Sequence, residues 1–388
     1  MISARTKHVL LAALFHFVVL YLGLVAPFPT SPNVLSLSGT WADHLMQWDS
    51  EWLINIAHFG YTFPLSVQRS FVATGNTIPF YPPYRAAAFF PGLPIIIHVL
   101  TPIGTLVLIN VLFLLSLWLL YGIVEREHPR LALEATVLFA INPCSIFFSS
   151  LYTETFTVLA VLLIMTGLQK GASRVGYALS LTGVGLATSV HDLGAFTIFF
   201  ALRYLRLHQW TRFAGYVIVA ILPPVLYETY LWSHFHTPFA LLHAESSWSR
   251  EWRFPFVNIL DTILQRQFSL NALMVIVVTF LAIMHIARSF SRDAKWRVAS
   301  PEQILFSRET ALWMVSILLL GLCAYIPGYP LKSVLRFFCV LWPAYLVVPN
   351  LQSDPTKHRL PWSYLFVGGF AMYAAYGTML FTHGWFFQ

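Results

Sequence analysis

The chain has 388 residues, of which 57% are hydrophobic and only 10% charged, with a formal net charge of +7. Soluble domains carry roughly 25% charged residues, and the mean hydropathy of +0.68 excludes an ordinary soluble protein, so length counts membrane crossings instead. The positive charge does not mark a nucleic-acid binder, because the basic residues sit in short loops between apolar runs, where they signal topology.

The first apolar run, residues 8–27, follows Arg5, Lys7 and His8. It exceeds the ~7–15-residue core of a cleaved signal peptide, so it reads as an uncleaved first crossing with a cytoplasmic N-terminus. A polar-aromatic outer loop over 28–87 comes next. It holds Gln47–Tyr61 (QWDSEWLINIAHFGY) and Ile78–Tyr84 (IPFYPPY). Trp48, Trp52, Ile56 and Phe59 recur at helical spacing. That pattern predicts an amphipathic helix on the membrane surface, rings at headgroup level, with Asp49 and Glu51 turned towards a cavity. The alternative is a juxtamembrane anchor whose acids face water.

Pro91, Pro94 and Pro102 break the next run, so 89–102 reads as a kinked, incompletely crossing segment and 104–124 as the second crossing. Apolar runs follow near 131–148, 152–169, 175–190, 193–204, 213–232, 269–290, 309–327, 333–349 and 362–382. His191 and Asp192 split the block from 175 to 204 into a helical hairpin with a short second arm. The runs predict an all-α polytopic membrane protein of about 10–11 transmembrane helices. It forms one integral membrane domain over 1–388, with a second outer loop at 233–268.

Charge bias supports this topology. With the N-terminus inside, a clear majority of the 23 Lys and Arg residues fall on the cytoplasmic side. Asp43, Asp49, Glu51, Glu154, Asp192, Glu245, Glu251 and Asp261 all fall on the outer side. Cys144, Cys323 and Cys339 lie in or beside apolar runs and form no CxxC, so neither a disulfide framework nor a zinc site is indicated.

An ionisable group within a membrane helix costs about 2.5–3.5 kcal/mol on insertion scales and needs a reason. Five places carry such groups, all opening on the outer side. They are Asp49 with Glu51; the NPCSIFFSSLYTE turn ending in Tyr152 and Glu154; His191 with Asp192; the HAESSWSREWR loop with His243, Glu245 and Arg250; and Arg336. Each has a structural alternative. Thr153 and Glu154 suit the first turn of a helix, and His191–Asp192 suits a polar break. Trp248, Trp252 and Phe254 suit an interface belt, and Arg336 suits a lipid headgroup. Glu228, inside a crossing, reads as pairing within the bundle.

Carboxylates, imidazole and arginines gathered on one face of a membrane fit transfer from a lipid-linked sugar phosphate. Arginine meets the phosphate, and a carboxylate deprotonates the acceptor hydroxyl as the sugar–phosphate bond breaks. Such a donor needs no nucleotide fold, and the chain has no GxGxxG or P-loop. Glu51, Glu154 and Glu245 would line the same cavity as Asp49 and orient acceptor hydroxyls. A divalent cation held there is the weaker alternative.

The succession WDSEW…IAHFGY, AFFPGLP, NPCSIFFSSLYTE and ATSVHDLG, from Trp48 to about Pro343, resembles the PIG-V family. That family comprises the second mannosyltransferase of glycosylphosphatidylinositol (GPI) anchor assembly and its prokaryotic relatives. HTPFALLHAESSWSR is similar to a loop of the prokaryotic members, and LRFFCVLWP to the late Arg-containing helix. The resemblance implies a GT-C type bundle with an outward-facing site and a dolichyl- or polyprenyl-phosphate mannose donor. It also implies a glycolipid acceptor and an inverting reaction with Asp49 as base, Glu51 matching an acid of eukaryotic members. The site would lie in the ER lumen in a eukaryote and outside the plasma membrane in a prokaryote. A small membrane partner subunit stays open. Where the family tends to place Arg after an Ala-Thr pair, this chain has Ala187, Thr188, Ser189, Val190 and then His191, a weaker phosphate ligand. A transporter or lipid flippase is the competing class, distinguished by inverted repeats and midplane charges; a scaffolding membrane subunit is the third.

Overall fold

Helix α1 (Ala4–Val25) starts where the Ser3 hydroxyl accepts the N–H of Thr6 and runs for 22 residues, about 33 Å at 1.5 Å per residue. The computed structural model describes residues 3–32, 34, 36, 39–62, 83–171, 173–248, 250–265, 269–291, 303–350 and 362–385. Most of the IPFYPPY stretch lies outside them. After α1 come α2 (Asp49–Phe59), α3 (Gly92–Glu127), α4 (Ala132–Ala140), α5 (Glu154–Gln169), α6 (Arg174–Val190) and α7 (Ala201–Arg206). Then follow α8 (Trp210–Phe235), α9 (Ala240–Ser247), α10 (Val257–Leu264), α11 (Leu270–Ser289) and α12 (Arg308–Cys323). The chain closes with α13 (Val334–Phe338), α14 (Val347–Asn350) and α15 (Trp362–Thr382).

Among the described residues, α1, α3, α8, α11 and α15 are long and apolar enough to cross a bilayer. Their outward side chains, such as Leu14, Val99, Ile218, Phe280 and Met372, are exposed and apolar, as lipid-facing positions require. The protein is a polytopic helical membrane protein. Several predicted crossings take other forms. Residues 131–148 split into α4 and a 3-10 turn at Ser145–Phe148. Between them, the Asn142 side-chain Oδ1 accepts the N–H of Cys144 at 2.8 Å ahead of that turn. Residues 333–349 divide into α13, a 3-10 turn at Trp342–Leu346 and α14. The short second arm of the hairpin is 3-10 over Asp192–Phe200 before α7 begins. The kink expected in 89–102 falls at Thr101 inside α3, where φ is 65° and ψ is 164°, next to Pro102.

Helix α5 is the axis of the bundle. Fourteen of its sixteen residues are buried, the signature of a helix enclosed on every side. It packs most extensively on α6 and α3. Gly183 permits the close approach of α6, since a Cβ there would stand 2.5 Å from the Ala160 carbonyl oxygen.

Polar groups collect at both ends of α5, about 24 Å apart for sixteen residues. At its C-terminal end, Glu127 accepts from Gln169 at 2.6 Å and from the N–H groups of Ile304 and Leu305 at 2.8 and 3.0 Å. Glu309 meets Arg206 there at 2.9 Å, and buried Arg203 donates to the Gln303 carbonyl at 2.7 Å. These contacts tie the chain before α12 to the ends of α3, α5 and α7. The other end carries the candidate site.

Candidate active site

Asp49 is the first residue of α2, and Glu154 is the first residue of α5. Both carboxylates therefore sit where the N-terminal field of a helix favours negative charge. Four hydrogen bonds stitch the two segments together. Leu151 N–H donates to Leu45 O at 3.0 Å, and the Ser50 hydroxyl to Leu151 O at 3.1 Å. The Tyr152 hydroxyl donates to Gln47 O at 3.2 Å and accepts the Asp49 N–H at 3.1 Å. Trp48 enters α2 with φ 58° and ψ −111°, a conformation a bulky side chain adopts only under constraint and one that clusters at functional sites.

Arg336, on α13, fills the space between the acids. Its Nη1 donates to Oδ2 of Asp49, and its Nε stands 3.0 Å from Oε1 of Glu154. The guanidinium also lies 5.5 Å from the centre of the Tyr152 ring. Glu154 is 3% exposed, yet neither carboxyl oxygen meets a donor in hydrogen-bond geometry. A buried carboxylate in that condition is costly, and a hydroxyl-bearing ligand would relieve it. Glu154 thus faces the cation instead of capping its own helix.

His191 ends α6 and pairs through Nδ1 with Asp192. Gly92 lets the start of α3 approach this end, since a Cβ there would fall 2.6 Å from Ser189 O. The imidazole lies within electrostatic reach of Glu154 and Arg336. Burial draws its pKa down most, but the charge and hydrogen bond of Asp192 together with the charge of Glu154 outweigh it and the net shift is upward. Its ring stands 6.5 Å from Phe337, whose other neighbour is the Arg250 guanidinium at 5.2 Å. Arg250 is held there by a short antiparallel pairing of β1 (Glu251–Trp252) with β2 (Ala324–Tyr325), extended by Arg253 N–H to Cys323 O at 2.9 Å. Arg253 itself is committed to Glu251 at 3.1 Å and Asp261 at 3.5 Å.

The structure thus draws Asp49, Tyr152, Glu154, His191, Asp192, Arg250 and Arg336 into one neighbourhood. Glu51 lies two residues into α2, and burial pushes its carboxyl up to about 7. His243 is exposed on α9. Glu245 shares α9, but its side chain lies outside the described residues. Glu228 accepts the N–H of Ala240 at 2.8 Å and so caps the start of α9. Lys332, within electrostatic reach of both Asp49 and Arg250, is the residue the sequence reading missed. Its one sequence signal is its place four residues before Arg336. Among the described residues no group of three or more His, Cys, Asp or Glu is placed to hold a metal ion.

The aromatic face of α2 is not a membrane anchor. Trp52 and Ile56 are buried, and Trp52 stacks on Phe89 at 5.8 Å and meets Trp248 edge-on at 5.5 Å. That face clamps α2 to the AFFPGLP segment and the end of α9, which orients its acids. Phe59 alone of the pattern is exposed.

The chain is 29% identical over 198 residues to the GPI mannosyltransferase 2 of Drosophila pseudoobscura pseudoobscura. The match covers 47% of this chain and 40% of that relative, so the chain spans well under two thirds of the relative's length. The sequence pattern of the family described as Mannosyltransferase (PIG-V) matches residues 2–212. The matched part carries α2, the Tyr152–Glu154 turn and the His191 break, and leaves Arg250, Lys332 and Arg336 beyond it. With more than half its length matched, the chain belongs to the mannosyltransferase (PIG-V) family, a family of glycosyltransferases.

Proposed function

We propose that this protein is a membrane mannosyltransferase of GT-C type. It moves mannose, or a similar hexose, from a dolichyl- or polyprenyl-phosphate donor to a lipid-linked glycan on the outer or lumenal face. The acceptor is similar to that of the second mannosyl transfer in GPI anchor synthesis. The observation that carries the reading is Arg336 set between Asp49 and Glu154, with His191 and Arg250 close by. Membership of the family supports the sugar, and the run of apolar helices supports a lipid-borne donor.

Asp49 acts as the base. It takes the proton of the acceptor hydroxyl as that oxygen bonds to the anomeric carbon from the face opposite the phosphate. The bond from the anomeric carbon to the phosphate oxygen breaks, so configuration inverts and lipid phosphate leaves as a dianion. Leaving adds one negative charge, and fixed cations in a site of reduced dielectric stabilise it. Arg250, Arg336 and the imidazolium of His191 supply them. Glu154 accepts from an acceptor hydroxyl and orients it. A second base deserves a test, because the carboxyl of Glu51 at about 7 is matched to proton transfer near neutral pH.

Purified protein assayed with a panel of polyprenyl-phosphate sugars tests the reading. Mannose transfer that vanishes in Asp49→Asn supports it. Movement of lipid or solute across proteoliposomes without sugar transfer would favour a transporter instead.

A further inference from the structure

A cavity of about 700 Å³ opens beside the carboxylate site, between α10, α11, α15 and the turn at 328–332. Asp49, Glu154, Arg250 and Arg336 do not line it. Its size is that of a small-ligand site, and its lining mixes apolar side chains such as Leu270, Leu331 and Leu380 with polar ones and one formal charge. Tyr329, Tyr373 and Tyr376 supply rings with hydroxyls, Asn271 an amide, Thr262 a hydroxyl, and Lys332 the one formal charge. Tyr373 donates to Oδ1 of Asn271 at 3.3 Å, which fixes the amide.

Two connections tie this cavity to Asp49. Lys332 stands at its rim within electrostatic reach of Asp49 and Arg250. On the far wall, Leu380 lines the cavity, and the next residue, Phe381, packs edge-on against Tyr152 at 5.7 Å. Tyr152 in turn accepts the Asp49 N–H. The cavity is thus linked to the segment that carries Asp49 through Lys332 on one side and through Phe381 and Tyr152 on another.

We propose that this cavity is the acceptor subsite, which holds the terminal sugars of the lipid-linked glycan while one of their hydroxyls reaches Asp49. The proposal rests on the glycosyltransferase reading and adds where the acceptor lies and what recognises it. Sugars present both hydroxyls and apolar C–H faces, and amphipathic tyrosine rings with a fixed amide match both. An acyl chain offers no group to hydrogen-bond with the Tyr329 and Tyr376 hydroxyls or the Asn271 amide that line the cavity. A donor phosphate needs several cations, and they lie across the boundary at His191, Arg250 and Arg336. Lys332 marks that boundary and is placed to meet an anionic group at the junction of the two substrates.

The test uses the full chain in lipid nanodiscs with two ligands, an octyl mannobioside and a polyprenyl-phosphate mannose. Tyr329 and Tyr376 are exposed, so the double variant Tyr329→Ala/Tyr376→Ala tests the rings without emptying the core. Asn271→Ala tests the amide. The expected result is mannobioside affinity reduced about tenfold or more in each variant, a change of 1.4 kcal/mol, with donor affinity within twofold of wild type. Unchanged donor affinity also reports that the variants fold. Equal mannobioside affinity in wild type and both variants would overturn the assignment. So would mannobioside binding that octyl sulfate displaces as well as mannobiose does, because the alkyl chain would then be the occupant. If wild type binds the mannobioside through these residues but no polyprenyl-phosphate sugar, the sugar subsite stands and the transferase reading falls.

Discussion

Arg336 donates to Asp49 across 287 positions of sequence. The contact joins the start of α2 to the five-residue helix α13, and it places a cation against the proposed base before any substrate arrives. The carboxylate is held in one orientation, and the guanidinium is held near the path of a leaving phosphate.

Asp49→Asn keeps the shape of the site and removes the proton acceptor. General-base removal costs about 10²–10⁴-fold in rate, so turnover should fall by that much while donor binding persists. Loss of donor binding together with turnover would show instead that Asp49 organises Arg336.

Arg336→Ala leaves Asp49 and the 3%-exposed Glu154 without their cation. Breaking one side of a buried pair costs about 3–5 kcal/mol, so thermal unfolding in detergent should move well below wild type. Arg336→Lys should recover part of the stability and less of the activity, because an ammonium cannot serve two carboxylates with the planar fork of a guanidinium. Arg336→Met combined with Glu154→Gln should be more stable than Arg336→Ala alone.

Most of the long helices are legible in the sequence, because α1, α11 and α15 follow long apolar runs and α8 keeps its apolar run despite Pro223, Pro224 and Glu228. The kink near residue 101 and the break at His191–Asp192 are legible for the same reason, as proline and charge interrupt those runs. The fragmentation of 131–148 and 333–349 is not. Hydropathy registers that a segment is buried, and a turn inside a protein core is as apolar as a helix. Ala132 through Leu151 shows this, with most positions fully enclosed. The ionisable residues announced that they needed partners without naming them. Asp49 and Glu154 meet Arg336 only because hydrogen bonds at Leu45 O, Gln47 O and the Ser50 hydroxyl fasten α2 to the 151–152 turn. The aromatic face of α2 misled for a related reason, since periodicity gives a buried stripe but not whether protein or lipid covers it.

Glu51 should make stability fall as pH rises. Its carboxyl is pushed up to about 7 in the folded protein by burial, against about 4.3 in an unfolded chain. The folded state therefore binds more protons between these values, and the contribution is present in full below about 4.3 and lost by the time pH passes about 7. Glu51→Gln should flatten that part of the melting-temperature profile and leave the variant more stable than wild type at pH 8. A rate profile that loses its limb near 7 in Glu51→Gln would assign proton transfer to Glu51 in place of Asp49.

His191 ends α6 beside Asp192, and its charge is the most adjustable of the cations near the site. The Asp192 carboxylate holds the imidazole above its ordinary value despite burial. As imidazolium it supplies a hydrogen-bond donor and a charge for the donor phosphate; as neutral imidazole it loses the charge. The donor Michaelis constant should therefore rise as pH rises through the raised imidazole range. His191→Arg should abolish that dependence, because guanidinium stays charged throughout. Asp192→Asn removes the group that lifts the imidazole, so its transition should move to lower pH while the limiting values at acid pH stay close to wild type. Measurement of the donor Michaelis constant from pH 5 to 9 in the three proteins decides the matter. A transition of equal midpoint in wild type and Asp192→Asn would remove His191 from phosphate binding and leave that work to Arg250 and Arg336.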